Sequence, residues 1–372
     1  MKEIDANLVK TDHLEATEEK AVLFFGMYPL DRLDYACPVR ISNLYQNLRS
    51  MTPTILITGT RGGRRWPILR LLFTGQLGKV RCVYVESATS TATETDLLLL
   101  LVCKLLRIPI VIYIRDAYQF FPDIYDRSPL RVRILDWLWR RSIQFYILFA
   151  GILLFPSEGL AQQFKFSNRH DLLPPAGSAS VLSETLDVSK KVVLYVGPTI
   201  STEGADLLVE AMKLVTAKHH GAKCLIVTNE GESQDFRARW KGSPWLTFTS
   251  GTFNDLSNIM RDVYVTVVPR RRDAYNDFAL PVKLFDYMSF GKPVVVTNCG
   301  EMAKVVRDSK SGLVVDDTAE DIARGIMELF DNPDLAKELG ANGHKTIRDE
   351  HSWKHRAEEL LSIIGGLTAN CH

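Results

Sequence analysis

Short apolar runs alternate with amphipathic segments along most of the chain. In the first half these runs fall at 21–27, 54–59, 80–87, 108–114 and 151–155. Each run is bounded by turn residues and is largely apolar, which is typical of strands buried in a parallel sheet. Between the runs, segments such as 39–50 and 93–106 have helical spacing. The pattern predicts a parallel sheet flanked by helices.

A second series of the same kind occupies the rest of the chain. Its apolar runs fall at 191–197, 223–229, 245–250, 263–269 and 312–317. Residues 172–178, with the sequence LLPPAGS, predict a linker between the two series. A chain of 372 residues also exceeds the usual size of a single hydrophobic core. We therefore expect two α/β domains that face each other across a cleft, with ligands at the carboxyl ends of their strands.

Composition and charge are those of an ordinary globular protein. Hydrophobic residues make up 46% and charged residues 24% of the chain, and the net charge of +1 does not indicate a polyanionic partner. The six cysteines are scattered without metal-ligand spacing, as expected for reduced thiols in the cytoplasm. The longest apolar run, at 145–155, is too short to span a bilayer. The charged residues 1–19 predict a polar leader.

The segment PVKLFDYMSFGKPVVV, residues 281–296, predicts a helix followed by a strand. The helix is apolar except for Lys283, Asp286 and Ser289, which recur every three residues and form one polar line. Spacing alone leaves two interpretations open. One is an exposed Lys–Asp pair worth about 0.2–0.5 kcal/mol. The other is a ligand site, because a lysine at a helix N-terminus suits an anion and a carboxylate one turn later suits a sugar diol.

This segment resembles the donor-site signature of family 4 glycosyltransferases, which have the GT-B fold of two Rossmann-like domains. The proline, the lysine, the acidic residue, the Tyr-Met pair and the Gly-Lys-Pro-Val run of the signature all have counterparts here. The resemblance implies transfer of a sugar, with retention, from a nucleotide-diphosphate sugar to an acceptor hydroxyl. It also implies that Asp286 holds the donor ribose and that Lys283 lies near the donor diphosphate.

Other segments resemble the same family in the same order. Residues 192–212 resemble the first strand, glycine-rich turn and helix of its donor domain, and 113–126 resemble a segment of its first domain. Residues 351–364 resemble the terminal helix that crosses back onto the first domain. We therefore expect an acceptor-binding domain over 20–175, a donor-binding domain over 176–350 and the crossing helix over 351–372.

Two departures from the family pattern concern the sugar and phosphate sites. The first glutamate of the family's acidic pair falls at Phe278 here, and the neighbouring Asp277 is the candidate substitute. Glu203 stands where the family has a lysine, and Pro198 follows Gly197 where an arginine is usual. Together these differences remove two cations and one carboxylate from the expected donor site.

The departing diphosphate still needs cations or N–H donors held in place. The chain contains no Asp-x-Asp pair, and we expect neither a metal ion nor another cofactor. Lys283, Arg270 and the main-chain N–H groups near Gly197 and Thr199 are expected to bind the phosphates. The arginine run at 270–272 has a second interpretation, which is a solvated loop.

Arg115 and Asp116 follow a predicted strand of the first domain and join Lys283 as candidate catalytic residues. Arg115 would lie near the donor phosphates or the acceptor, and Asp116 would orient the acceptor. The alternative is a structural ion pair at the strand end. Gly26 ends the first predicted strand and would let a ligand approach the backbone, but such glycines are also ordinary turn residues.

Two segments of the first domain, 61–73 and 130–149, mix arginine with tryptophan and leucine. Candidate acceptor-side or membrane-side residues in them are Arg61, Arg64, Trp66, Trp137 and Trp139. Such segments suit the headgroups of an anionic membrane, and a helix with arginines on its outer face is the alternative. The membrane interpretation predicts a lipid-linked or polysaccharide-precursor acceptor and a cytoplasmic protein peripheral to the inner face of the membrane. No motif indicates a nucleic-acid partner.

Two other functions stay open on the sequence. A nucleotide-sugar epimerase of the same fold would need its own acid and base set in the cleft, and the sequence pattern does not assemble one. A degenerate, non-catalytic member of the fold would bind a partner or a lipid, and the departures from the family pattern are compatible with it.

Overall fold

The structure is a computed structural model and describes residues 19–31, 36–89, 91–125, 129–179, 186–187, 189–229, 231, 233–251 and 255–369. The polar leader expected over 1–19 lies outside the described residues except for its last position. The chain folds into two compact units. The first is made from residues up to Pro174 together with those from Trp353 onward, and the second is Pro175–Ser352.

Each unit contains a parallel sheet, with six strands among the described residues, as the alternating pattern predicted. The first sheet contains β1 (Ala21–Gly26), β2 (Thr54–Ile57), β3 (Val80–Glu86), β4 (Ile110–Tyr113), β5 (Ile152–Phe155) and β6 (Arg169–Leu172). The second contains β7 (Val192–Val196), β8 (Lys223–Val227), β9 (Leu246–Thr249), β10 (Val265–Val268), β11 (Val294–Thr297) and β12 (Gly312–Val315). The strand orders are β2-β1-β3-β4-β5-β6 and β12-β11-β10-β7-β8-β9, so in each sheet the carboxyl ends share one edge.

Helices connect the strands in both units. In the first unit they are α1 (Ala36–Arg49), α2 (Arg65–Phe73), α3 (Glu94–Leu105), α4 (Leu130–Phe149) and α5 (Glu158–Ala161). In the second they are α6 (Ala205–Lys218), α7 (Gln234–Arg239), α8 (Leu256–Met260), α9 (Val282–Ser289), α10 (Gly300–Ser309), α11 (Ala319–Asp331) and α12 (Pro333–Asp349). The last helix, α13 (Trp353–Ala369), belongs to the first unit.

The central strands are apolar, which is typical of parallel sheets whose two faces are covered by helices. β1, β4, β5, β10 and β11 are buried along their whole length. β6 is different, because all four of its residues, Arg-His-Asp-Leu, are exposed at the edge of the first sheet. The sequence pattern missed this strand, since an edge strand needs no continuous apolar run and charged side chains on it discourage pairing with other chains.

α13 packs on α1 within the first unit. Its buried residues include Trp353, Leu360 and Ile364, whose spacings of seven and four place them on one face of the helix. The ring of Trp353 also lies 6.0 Å from the guanidinium of Arg40 on α1. The last helix therefore completes the core of the unit that contains the first strands, as the resemblance to a crossing helix predicted.

Two residues expected on the acceptor or membrane side are buried, and their placement on an exposed surface is corrected. Arg64 is 1% exposed and forms a two-pronged ion pair with Asp96, with N–O distances of 2.8 and 2.6 Å. Trp139 is 2% exposed and packs among aromatic rings. The position of Trp139 on the helix explains its burial, because Asp136 and Ile143, three and four positions away, are buried on the same face of α4.

The Arg64–Asp96 pair predicts a large difference in stability between two substitutions on α3. Asp96→Asn leaves the Arg64 guanidinium buried without its counter-charge, so we expect the free energy of unfolding to fall by about 3–5 kcal/mol. Glu94→Gln is the control, because Glu94 and its partner Arg65 are 69% and 50% exposed. The free energy of unfolding of that variant should fall by no more than about 1 kcal/mol. Urea denaturation followed by circular dichroism would measure both, and equal losses would contradict the prediction.

Candidate functional site

Three segments of the second unit come together beyond the carboxyl ends of β7 and β10, which are parallel neighbours in the sheet. β7 leads through Gly197 to a 3₁₀ turn, Ser201–Glu203. β10 leads through Pro269 to Arg270. The third segment is the first turn of α9, which contains Lys283. Side chains from all three segments contact one another.

Two glycines allow this close approach. Gly197 has a φ of +147°, and a Cβ atom there would lie 2.5 Å from Nζ of Lys283. Gly204 has a φ of +72°, and a Cβ atom there would lie 1.7 Å from the carbonyl oxygen of Pro269. Glycine is therefore required at both positions, for its backbone conformation and for space. The turn after β7 is held against the loop after β10, and room is left for the Lys283 ammonium.

Glu203 is the centre of this cluster. Its Oε1 accepts a hydrogen bond from Arg270 at 2.7 Å, and its Oε2 accepts one from Nζ of Lys283 at 2.8 Å. The three side chains are only 12–15% exposed. Lys283 also lies 4.6 Å from the centre of the Tyr195 ring, which is a cation–π contact. One carboxylate thus offsets one of two cations, and the cluster keeps a net positive charge.

Charge and burial act in opposite directions on the titrating groups of the cluster. Burial alone would raise the pKa of Glu203, but the positive charges of Arg270 and Lys283 lower that pKa to about 2. Glu203 is therefore an anion at neutral pH. Burial lowers the pKa of Lys283, and the nearby Glu203 opposes this shift. An ammonium has three N–H donors, and the described contacts of Lys283, with Glu203 and with the Tyr195 hydroxyl, leave one for a ligand.

Asp286 lies one turn after Lys283 on α9 and is 8% exposed. Among the described residues its carboxyl group has no hydrogen-bond or ion-pair partner. Desolvation by burial raises its pKa to about 8. The carboxyl oxygens of Asp286 are not among the fully enclosed polar atoms without a partner, so a ligand with hydroxyl groups has access to them. A carboxyl group in this setting can bind a diol in either protonation state, because its oxygens accept and its proton donates.

The third member of the polar line has a structural role. Ser289 is 1% exposed, donates to the carbonyl oxygen of Phe285 at 2.7 Å and accepts from the backbone N–H of Ser178 at 3.0 Å. It therefore fixes the segment that enters the second unit. The exposed Lys–Asp pair that spacing left open is not formed, because Lys283 binds Glu203 instead.

Each arginine of the run at 270–272 pairs with a different carboxylate, but the run lies in a loop and its last arginine is exposed, so the solvated-loop interpretation stays open for Arg272. The first belongs to the cluster. Arg271 pairs with Asp206 at 2.5 Å, and Arg272 pairs with Asp277 at 3.2 Å. Exposure of the arginines rises along the run from 12% to 38% and 60%, so the first is the most enclosed.

Two further candidate donor-site residues lie outside the cluster contacts. Asp277, the candidate substitute for the missing glutamate, also accepts a hydrogen bond from the backbone N–H of Gly300 at 3.3 Å. Its carboxylate therefore lies at the N-terminus of α10. Thr199 is half-buried in the loop that follows Gly197.

A second buried cluster lies at the carboxyl edge of the first sheet. Glu86, the last residue of β3, is fully buried and accepts hydrogen bonds from Arg40 and Arg115, each at 3.0 Å. The Tyr84 hydroxyl donates to the same carboxylate at 2.6 Å. One terminal nitrogen of each arginine is buried without a hydrogen-bond partner among the described residues. Sequence reasoning missed Glu86 and Arg40, although an acidic residue at the end of an apolar strand was a signal for Glu86.

Arg115 and Asp116 line a small pocket of the first unit together with Trp139. This pocket has no room for a water molecule. Gly26 has another explanation than close approach of a ligand. A Cβ atom there would lie 3.1 Å from two neighbouring side chains, so tight packing accounts for the glycine.

An exposed apolar and basic surface covers α2, α3 and α4, and α3 packs against both of the others. All but three of the large hydrophobic side chains that are exposed in the described part of the chain lie on these helices or directly after α3. They include Trp66, Phe73, Trp137 and Leu148. Exposed basic residues on or beside the same helices are Arg61, Arg65, Arg70, Lys104, Arg107, Arg131, Arg133, Arg140 and Arg141. We call this the α2–α3–α4 surface.

None of the helices within the described ranges has both the length and the apolar character needed to cross a bilayer.

The raised pKa of Asp286 predicts a pH dependence of stability. This carboxyl titrates near 3.9 in an unfolded chain and near 8 in the folded protein. The folded state therefore binds the extra proton between these values, and stability is lost as pH rises through them. Asp286→Asn lacks this loss. The free energy of unfolding of the variant minus that of the wild type should therefore be larger at pH 8 than at pH 5. We expect this difference to grow by more than ~1.4 kcal/mol, the value of one pKa unit.

Urea denaturation at the two pH values would measure this difference. Asp308→Asn is the matched control, because Asp308 is exposed on α10. The control should follow the wild type at both pH values. If the gap between Asp286→Asn and the wild type were the same at pH 5 and pH 8, the raised pKa would be wrong.

The second unit matches a known protein family. Residues 190–332 match the family model described as Glycosyl transferases group 1. Over 199 residues the chain is 25% identical to the GDP-mannose-dependent alpha-(1-6)-phosphatidylinositol monomannoside mannosyltransferase of Mycobacterium tuberculosis, a match that covers 52% of each chain. The chain spans about half the length of the curated relatives it matches.

Solved structures with the same architecture cover nearly the whole chain. Sucrose-phosphate synthase from Thermosynechococcus elongatus has a TM-score of 0.67 at 13% identity, over 94% of this chain and 100% of the other. Anabaena HepE in complex with UDP has a TM-score of 0.63 at 13% identity, over 93% and 100%. At such low identity the likeness concerns the fold. The chain therefore has the GT-B fold that the sequence resemblance predicted, and its residues 190–332 match the model of the glycosyl transferases group 1 family.

Proposed function

We propose that this protein transfers a sugar, with retention, from a nucleoside-diphosphate sugar to an acceptor hydroxyl. The observation that carries the proposal lies on α9, where Lys283 can bind an anion and Asp286, one turn later, is a buried carboxyl without a partner among the described residues. A nucleoside diphosphate supplies both a phosphate anion and a ribose diol. The family match, the GDP-mannose dependence named for the mycobacterial relative and the UDP bound to HepE support the same ligand class.

In this scheme Asp286 binds the ribose hydroxyls, while Lys283 and Arg270 bind the diphosphate. Main-chain N–H groups near Gly197 and Thr199 and the dipole of α9 add to the binding of negative charge. These groups stabilise the charge that develops on the departing diphosphate. Because the chain itself supplies the cations, we propose that transfer needs no metal ion and no other cofactor.

Retention follows if the acceptor hydroxyl attacks from the side of the leaving diphosphate, through an oxocarbenium-like state. Such a path requires no protein nucleophile. In the first unit, Arg115 and Asp116, which follow β4, are proposed to orient the acceptor. The terminal NH1 of Arg115 supports this role, since it is buried and has no hydrogen-bond partner among the described residues.

Calorimetric titration with UDP, GDP, ADP and dTDP in EDTA tests the donor site. We expect one of these diphosphates to bind the wild type without added metal. Asp286→Ala should weaken that binding by at least about tenfold, since it removes hydrogen bonds to the ribose from a desolvated site. Asp308→Ala is the control, because this exposed acidic residue on α10 should leave the affinity unchanged.

A sugar-donor screen with the base that binds would follow, and the anomeric configuration of the product would be read by NMR. An inverted product would contradict retention. Full activity in Mg²⁺ and none in EDTA would contradict metal independence. Binding of no diphosphate, with or without Mg²⁺, would instead favour the non-catalytic alternative.

We further propose that the acceptor is lipid-linked or a polysaccharide precursor and that the α2–α3–α4 surface binds the cytoplasmic face of an anionic membrane. The surface combines exposed tryptophan, phenylalanine and leucine with arginine and lysine. Apolar side chains gain from entering the interfacial region of a bilayer, and the basic side chains complement anionic headgroups. A polyanion such as nucleic acid would use the arginines but not the exposed apolar side chains.

Sedimentation with phosphatidylcholine vesicles, with and without phosphatidylglycerol, tests the membrane proposal. We expect binding only when phosphatidylglycerol is present, and weaker binding at high salt. The double variant Trp66→Ser, Trp137→Ser should lower the partition coefficient by about tenfold or more, because each buried aromatic side chain contributes roughly 1.5–3 kcal/mol.

The double variant Ile200→Ser, Leu214→Ser is the matched control. These two apolar side chains are also exposed, at 51% and 42%, but belong to the second unit. They should leave vesicle binding unchanged. Equal losses in both double variants, or equal binding to neutral and anionic vesicles, would overturn the membrane proposal.

A further inference from the structure

Glu203 binds Lys283 and Arg270, the two cations that the proposed donor site needs for a diphosphate. We propose that Glu203 competes with the donor diphosphate for Lys283 and Arg270 and thereby keeps the affinity for nucleoside diphosphates low. This inference rests on the function proposed for the second unit. Glu203 is in this sense an affinity-determining residue that acts through its two partners.

The geometry of the cluster supports competition. Both carboxylate oxygens of Glu203 are engaged, one with Arg270 at 2.7 Å and the other with Lys283 at 2.8 Å. Two oxygens of a phosphate would seek the same N–H groups, because guanidinium and ammonium groups bind carboxylate and phosphate in similar ways. The diphosphate must therefore share these donors with Glu203 or displace it.

The backbone keeps Glu203 close to the cations. Gly204, the next residue, fits against Pro269 with no room for a Cβ atom. The carbonyl oxygen of Thr202, the preceding residue, accepts hydrogen bonds from the backbone N–H of Arg271 and from the Asn276 side chain, each at 3.1 Å. The turn that carries Glu203 is thus anchored on both sides, so the backbone of Glu203 stays beside Lys283 and Arg270 when a phosphate arrives.

Protonation does not remove the competitor near neutral pH, since the neighbouring cations keep the pKa of Glu203 near 2. A diphosphate would thus meet two cations and one fixed anion. Its second phosphate would find little uncompensated positive charge, and much of the donor's affinity would have to come from the nucleoside and the sugar. The nucleoside diphosphate product would accordingly leave the site easily.

The sign of one mutational effect tests the inference. Glu203→Gln keeps the size of the side chain and removes its charge. We expect it to tighten binding of the diphosphate that the wild type binds by at least about tenfold, the corresponding monophosphate by less, and the nucleoside not at all. A purely structural role predicts the opposite, because loosened cations would bind phosphate more weakly.

Asp206→Asn is the matched control. Asp206 lies three residues further along the same segment and pairs with Arg271, which is not part of the cluster. Its substitution should change diphosphate affinity by less than about twofold. If both variants tightened binding equally, a general gain in positive charge would explain the effect and the specific role of Glu203 would be rejected.

A measurement on the wild type covers the case in which Glu203→Gln does not fold. UDP and UMP, or the pair with the base that binds, would be compared by calorimetry. We expect the second phosphate to improve affinity by less than about tenfold. An improvement of about a hundredfold would overturn the inference.

The outcomes separate this inference from the function on which it rests. If the wild type binds a nucleoside diphosphate and Glu203→Gln binds it no more tightly, only the role of Glu203 is wrong. If neither protein binds any of UDP, GDP, ADP and dTDP, the proposed donor site itself is wrong, and the inference fails with it.

Discussion

A buried glutamate shared by two basic side chains shapes the carboxyl edge of each sheet. In the second unit Glu203 joins the turn after β7 to the loop after β10 and to α9. In the first unit Glu86 joins β3 to α1 through Arg40 and to the segment after β4 through Arg115. Each carboxylate offsets the repulsion between two like charges in a poorly solvated place, and so lets the segments that carry them approach one another.

The two glutamates differ in their exposure and in the N–H donors that their partners keep for a ligand. Glu86 is completely buried, and a third donor, the Tyr84 hydroxyl, also binds it. Glu203 is 13% exposed, and Lys283 beside it keeps an N–H group for a ligand. Asp286 is the contrasting case, because it is buried without any cation among the described residues. On the function proposed above, this contrast separates the side chains that build the site from the one left to bind a ligand.

Local periodicity was enough to predict most of the fold and two residues of the candidate site. The apolar runs gave the central strands, and the three-residue spacing on α9 singled out Lys283 and Asp286. Pairings between distant residues could not be predicted in this way. Arg64 and Asp96 are 32 residues apart, and Glu203 and Lys283 are 80 apart, so neither pair leaves a local pattern. The family resemblance implied that Glu203 stands where a lysine is usual, but only the geometry revealed that it binds Lys283 and Arg270.

The placement of α13 has a consequence for how the chain is made. The first unit consists of two stretches of sequence, with the whole second unit between them. The ribosome translates strands β1 to β6 before the second unit and α13 after it. The second unit is translated as one continuous stretch. The face of α1 that α13 covers therefore stays open while the ribosome translates the second unit. In the nascent chain, the first unit therefore obtains the last helix of its core only after the second unit has been translated.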